Sequence, residues 1–272
     1  MVFKVQDNFF DKVPNAVFGV VVVKNFDNTK NYDFINELFK ENLEKSKEKF
    51  RDVRIKEESW IIPYRDAFTK LGINPNKFMC SIEALMTRIS KGKDIPSINP
   101  IVDLGNALSL KYELPIGVHD IDNFINEEIE IRTSTSNDIF IPFGSLEVEH
   151  LEDGEIIYAS GDEVKTRRWT WRQGENSKVT EKSTNLFIPI DGFTENIDKI
   201  TIYPAHEYIL EGTIKDVCNK IKNLDEMQNK KEIIELLAQS LKKDRTKSQI
   251  LGFTKLNLLE MTRKNMCNND DY

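Results

Sequence analysis

Apolar and polar positions along the chain change their period near residue 116, from helical spacing before it to short apolar runs between turn residues after it. Over residues 33–49, Phe34, Ile35, Leu38, Phe39 and Leu43 fall on one side of a helix with charges opposite, which predicts an amphipathic surface helix. The β-branched run Val20 to Val23 closes an apolar stretch and reads as a buried strand. A second helix is predicted over 64–71, ended by Gly72 and then Pro75. Ser81 is the expected N-cap of a third, with Glu83 in its first turn, an apolar stripe of Ile82, Leu85, Met86 and Ile89, and Gly92 as the stop. Asn99 followed by Pro100 opens a fourth, a capping residue ahead of a proline at the first helical position. That helix carries Ile101, Leu104 and Leu108 inward and ends before Pro115.

Beyond residue 116 the runs IEIRT, EIIYA, VKTRRWTW, LFIPI and KITIY are separated by Gly, Asp, Asn and Ser, which predicts a β-rich half. From about residue 213 the texture is helical again, with Ile214, Val217, Ile221, Ile233, Ile234, Leu237 and Leu241 at helical spacing before a polar end, NNDDY. The fold class this implies is α+β, with a C-terminal helical extension over 209–272 following a main domain over 1–208.

Composition narrows the choice of partner only a little. At 272 residues the chain can build an ordinary core in one or two domains. The net charge of −7 weighs against a nonspecific nucleic-acid binder. The Lys-rich segment after Glu211 (Lys230, Lys231, Lys242, Lys243, Arg245, Lys247) still leaves room for a local basic face that holds an RNA backbone. The longest apolar run, residues 16–23 with Gly19 inside it, is far too short to span a bilayer, and the first residues lack the pattern of a signal peptide. Cys80, Cys218 and Cys267 are dispersed without C-x-x-C spacing, and His119, His150 and His206 are scattered. These features predict a cytoplasmic protein without disulfides, metal or cofactor.

Three groups of residues are candidates for chemistry. Asn99, Asp103 and Asn106 have spacings of four and three and share one helical face; a capping and loop-bonding role accounts for such a stripe as readily as a binding role. In RRWTWRQ, an extended chain would put Arg167, Trp169, Trp171 and Gln173 on one face and Arg168, Thr170 and Arg172 on the other. Two indoles on one face are ordinarily core; alternatively they are a stacking platform for bases beside phosphate-binding guanidinium groups. Thr184-Asn185 belongs to a polar turn before LFIPI, and His119 is a lone histidine followed by Asp120. There is no G-x-S-x-G, no Walker loop and no ATP-binding motif of a synthetase.

Residues 64–120 together with RRWTWRQ resemble a freestanding version of the tRNA-binding and editing module of the phenylalanyl-tRNA synthetase β subunit, formed there by the third and fourth B domains. The resemblance runs from about Phe9 to about Tyr203. It implies an α/β portion joined to a β-sandwich-like half, and a trans-acting aminoacyl-tRNA deacylase that binds the aminoacylated acceptor end of tRNA rather than DNA or a membrane. It implies Asn106 and Thr184 as catalytic residues. It also implies Asn99, Asp103, Gly117, His119, Trp171, Arg172, Gln173 and Asn185 as substrate-binding residues. An aminoacyl ester is already activated, so positioning a water and stabilising an oxyanion would suffice without a covalent nucleophile. The chain departs from the synthetase pattern at two places: Gly117 stands where editing domains have a histidine, and Pro189 where they have a glutamate. A noncatalytic RNA-binding module and a small-molecule or amino-acid-binding protein of the same fold are the competing expectations.

Overall fold

A computed structural model describes residues 1–151 and 153–193, and the backbone of 208–209. In chain order its elements are β1 (Val2–Val5), α1 (Asp7–Lys12), β2 (Ala16–Val23), α2 (Asp33–Phe50), α3 (Ile62–Lys70), α4 (Ser81–Ser90), α5 (Pro100–Tyr112) and β3 (His119–Asp120). There follow β4 (Glu128–Thr133), β5 (Ile139–Phe140), β6 (Glu149–His150), β7 (Ile156–Ser160), β8 (Glu163–Arg167), β9 (Arg172–Gln173), β10 (Leu186–Phe193) and β11 (Tyr208–Ile209). Among the described residues no helix is long and apolar enough to cross a membrane.

The strands form two sheets. The larger, mixed one runs β11-β1-β4-β7-β8-β5-β6, with β9 paired to β8; the smaller is antiparallel in the order β2-β10-β3. Both sheets pair strands across residue 116, so the β-rich half is not a separate layer. β1 lies parallel to β4, and β2 pairs with β10 over eight residues, from Val23 opposite Leu186 to Ala16 opposite Phe193. The predicted division into an α/β portion and a β half is thus a change of texture along the chain. In space the two halves share their sheets.

The small sheet is the middle layer, as the period of two in β10 shows. Phe187 and Phe193 point into a cluster with Phe3, Ile129, Ile131, Ile156 and Tyr158 of the large sheet. Leu186, Ile188 and Ile190 point the other way, against Ile35 of α2 and Ile101 and Leu108 of α5. Every residue of β10 is buried, and one of them is a carboxylate, Asp191.

The helices predicted before residue 116 form, with corrections at their ends. α5 starts at Asn99 as the sequence implies, but its Leu104 is only half-buried. α4 is capped by Cys80 in an extended conformation; Ser81 is the first helical residue, and its backbone N–H donates to Thr170 O at 2.8 Å. A tertiary hydrogen bond thereby satisfies a free donor of the helix start that a serine cap would otherwise have served. The extended alternation expected over residues 167–173 is also absent, as described below. KITIY, the Lys-rich segment, the helical extension, His206, Cys218 and Cys267 lie outside the described residues.

Candidate functional site

The start of α5 and the turn between β8 and β9 face each other across a cavity of about 170 Å³. At roughly 10–15 Å³ per water, that is room for on the order of ten water molecules, enough for a small organic ligand.

On the helix side the polar stripe divides. The Asn99 side chain accepts from Val102 N at 3.1 Å and donates to Val179 O at 3.4 Å. Asp103 accepts from Ile98 N at 2.8 Å and from Ser97 Oγ. Asn28 Oδ1 accepts from Ile101 N at 3.1 Å. These groups satisfy the otherwise unpaired N–H groups of the first turn and of the loop before it. Neither Asn99 nor Asp103 lines the cavity; Asn106, one turn further on, does. Gly105 lets the helix approach the segment 116–118 closely: a Cβ there would stand 2.8 Å from Val118 Cγ2.

On the strand side, β8 ends at Arg167 and two consecutive residues, Arg168 and Trp169, adopt left-handed backbone conformations with φ of 51° and 57°. The chain reverses there and β9 returns antiparallel to β8. Trp169 therefore drops into the core, fully buried and edge-on to Phe9 and Phe18, while its indole N–H donates to Asp191 Oδ1 at 2.7 Å. Trp171 stays half-buried at the rim, packed edge-on against Phe78 with ring centroids 4.7 Å apart. The Arg168 guanidinium lies 3.9 Å over Phe78 and 4.8 Å over Trp171, held by Glu155 Oε2 at 3.0 Å, and Arg172 is exposed beside Trp171. Gln173 donates to Val118 O at 2.9 Å and Ser177 O at 2.7 Å, which pins the hairpin to the segment leading into β3.

Besides Asn106, the polar residues lining the cavity include His119, Thr170 and Asp191. His119 is buried among the rings of Phe124, Tyr158 and Phe187. Burial, aided by the charge of Lys165, holds its imidazole down to about 3, so the ring is neutral at ordinary pH. Thr170, 6% exposed, has a buried Oγ1 without a hydrogen-bond partner among the described residues. Asp191, 3% exposed, accepts from Tyr158 Oη at 2.6 Å and from Trp169, both on Oδ1. Burial pushes its carboxyl up to about 7 against the pull of those two donors.

The structure thus brings Asn106, Gly117, His119, Trp171, Arg172 and Gln173 around one cavity. It does not bring Thr184 or Asn185 there. Thr184 is exposed, and the Asn185 side chain accepts from Asn25 N at 3.3 Å and donates to Asp122 Oδ1 at 2.9 Å, before β10 rather than beside its cavity-facing Pro189 and Asp191. Turn bonding accounts for the Asn185 side chain, and the Thr184 carbonyl accepts from Phe26 N at 2.9 Å. Burial raises the Cys80 thiol well above its ordinary range, which removes it as a nucleophile. Among the described residues no cluster of His, Cys, Asp and Glu could hold a metal ion. Sequence reasoning missed Thr170, Tyr158 and Asp191. The last had a legible signal, a single carboxylate inside the apolar run LFIPIDGF.

Gly117 and Pro189 lie side by side. Gly117 N donates to Pro189 O at 3.0 Å, and a Cβ on Gly117 would stand 3.3 Å from both Pro189 Cγ and His119 Nε2.

A family profile described as "B3/4 domain" matches residues 63–203, a span that takes in every residue lining the cavity. A second profile, "Ribonuclease E/G family", matches residues 221–266, outside the described residues. The phenylalanine–tRNA ligase beta subunit of Oceanobacillus iheyensis is 27% identical over 162 residues, which is 59% of this chain and 18% of that protein. The chain therefore spans less than a fifth of this relative's length. Among solved structures, an N-terminal fragment of the phenylalanyl-tRNA synthetase beta subunit from Pyrococcus horikoshii matches with a TM-score of 0.35 and 12% identity, covering 96% of this chain and 73% of that one.

Proposed function

Because the chain belongs to the B3/4 domain family, we propose that it binds the aminoacylated 3′ end of a tRNA and hydrolyses the ester in trans. The observation that carries this reading is the cavity itself, an open-mouthed cleft with Asn106, His119, Thr170 and Asp191 in its lining and a cationic aromatic rim of Trp171, Arg168 and Arg172. The aminoacyl group enters the cavity, the terminal base stacks on Trp171, and Arg172 meets backbone phosphate. In the reaction a water oxygen bonds to the carbonyl carbon, the bond from that carbon to the ribose oxygen breaks, and a proton given up by the water ends on the ribose oxygen, leaving a free amino acid and a ribose hydroxyl. Asn106 and the neutral His119 ring supply hydrogen bonds to the developing oxyanion; with its pKa near 3, His119 serves as a donor and not as a proton carrier near pH 7. Thr184 and Asn185 have no part in this scheme because they do not line the cavity.

The test is a deacylation screen of purified protein against a panel of mischarged tRNAs. Hydrolysis of at least one, slowed by about a hundredfold in Asn106→Ala as for the loss of one oxyanion donor, supports the proposal. An intact panel, or an Asn106→Ala variant as fast as wild type, removes it. A noncatalytic tRNA-binding module is the second reading. It is favoured by Gly117 and Pro189, which stand where editing domains of the resembling type carry histidine and glutamate. It predicts tRNA binding that weakens with salt and no ester cleavage.

A further inference from the structure

Asp191 is an ionisable group in an apolar layer, and its hydrogen bonding is one-sided. Tyr158 and Trp169 both donate to Oδ1, at 2.6 and 2.7 Å, while Oδ2 has no hydrogen bond among the described residues. The residue lines the cavity, and so does Thr170, whose buried Oγ1 is also without a partner. The main chain of both residues is fixed: Asp191 N donates to Pro115 O at 3.1 Å, Asp191 O accepts from Tyr64 Oη at 2.8 Å, and Thr170 O accepts from Ser81 N at 2.8 Å. A buried carboxylate ordinarily has a cation beside it, since taking an unpaired charge out of water is strongly unfavourable. No salt bridge among the described residues includes Asp191.

We propose that Asp191 Oδ2 and Thr170 Oγ1 form a subsite for a primary ammonium group, so that the cavity selects ligands carrying a free α-amino group. The inference rests on the proposal that the cavity takes an aminoacyl group, and it names which end of that group is read. An ammonium group has three donors and no acceptor. It complements a carboxylate oxygen and a hydroxyl that both lack partners, and it supplies the positive charge the layer lacks. Burial holds the Asp191 carboxyl up near 7 in the empty cavity; a bound cation favours the ionised form and draws it back down. An N-acylated amino acid presents neither the charge nor the three donors, and its extra bulk meets the Trp169 and Tyr158 rings. The subsite therefore separates free aminoacyl groups from N-acylated ones.

The experiment uses the full chain and a panel of L-amino-acid amides, which keep the ammonium group and lack the carboxylate, each beside its N-acetyl counterpart. Binding is measured by calorimetry at pH 7. At least one amide binds, and its N-acetyl form binds about tenfold more weakly or worse, the effect of losing one charge-assisted hydrogen bond. Asp191→Asn, which keeps an acceptor for Tyr158 and Trp169, lowers affinity for the amide and brings the two forms to within about threefold. Thr170→Val, nearly the same shape, weakens amide binding about threefold or more. An N-acetyl form that binds wild type as tightly as the amide overturns the proposal, as does a panel in which nothing binds. If Asp191→Asn does not fold, unchanged amide affinity in Thr170→Val overturns it. Failure here separates from failure of the hydrolysis: a protein that cleaves N-acetylaminoacyl-tRNA as fast as aminoacyl-tRNA keeps the activity and loses the ammonium subsite. Selective amide binding without tRNA cleavage does the reverse.

Discussion

Trp169 and Trp171 are two residues apart and have opposite surroundings. Trp169 is 0% exposed, ringed by Phe9, Phe18, Tyr64, Phe68 and Phe193, and donates its N–H to a buried carboxylate. Trp171 touches Phe78 and two guanidinium groups at the mouth of the cavity. Regular strand geometry would have put both on one face. Two left-handed residues, Arg168 and Trp169, turn the chain at the first indole, which becomes a structural post and leaves the second as a surface for contact. Residue type alone therefore does not define the role of an aromatic motif; the backbone conformation of its members does.

Four experiments sharpen or break that contrast, in order of expected effect. Trp169→Ala removes a fully buried indole and one of the two donors to Asp191, so chemical denaturation should show a loss of about 3–5 kcal/mol. A loss below about 1 kcal/mol would place Trp169 outside the core.

The second experiment concerns the pH dependence of the buried groups. The Asp191 carboxyl moves from 3.8 to about 7 on folding, so the folded chain binds the extra proton and stability falls as pH rises through that window. The His119 ring moves from 6.5 to about 3, so the unfolded chain binds the extra proton and stability falls as pH drops through that window. The two slopes oppose each other over roughly pH 4–6.5. Tyr64 and Tyr158, which touch Asp191, are raised well above their ordinary range and stay protonated throughout; Lys165 adds to the His119 shift. Melting temperatures read across mildly acid to mildly basic pH should separate the two contributions. Asp191→Asn becomes more acid-labile than wild type, and His119→Gln loses stability more steeply than wild type as pH rises. Parallel curves for all three proteins would refute the assignment.

Third, Trp171→Ala should leave the unfolding midpoint close to that of wild type and weaken tRNA binding by about 1–3 kcal/mol, the value of one stacked base. A large loss of stability with unchanged binding would make it a second core indole. Smallest is Arg172→Ala: binding weakens across all tRNAs alike, and the slope of log affinity against log salt decreases by about 1 if Arg172 meets a phosphate.

Much of the helical architecture was legible in the sequence because its signals are local. Asn99-Pro100 caps and opens α5 as a sequence reader expects, and Gly92 follows α4 with φ of 72°. Strand existence was legible for the same reason, in runs such as IEIRT and LFIPI. Strand partnership was not, because β2 meets β10 more than 160 residues later through packing that no short window contains. The turn at Arg168 was hidden for a different reason. Left-handed backbone is expected at Gly or Asn, and here an arginine and a tryptophan adopt it in succession, held by the burial of Trp169 and its bond to Ile156 O. Within the candidate site, Asn106 and Gln173 were visible as polar residues at telling positions. Asn99 and Asp103 looked equivalent to Asn106, but helix-start hydrogen bonds account for them.

The contact between Gly117 and Pro189 bears on how this cavity could acquire a different preference. A histidine at 117 alone would compete for volume with the His119 and Pro189 rings, and a glutamate at 189 alone would be a new buried acid beside a glycine that offers no side chain to meet it. Any side chain added at 117 meets both rings at once, so a change of lining there has to be absorbed by Pro189 and His119 together.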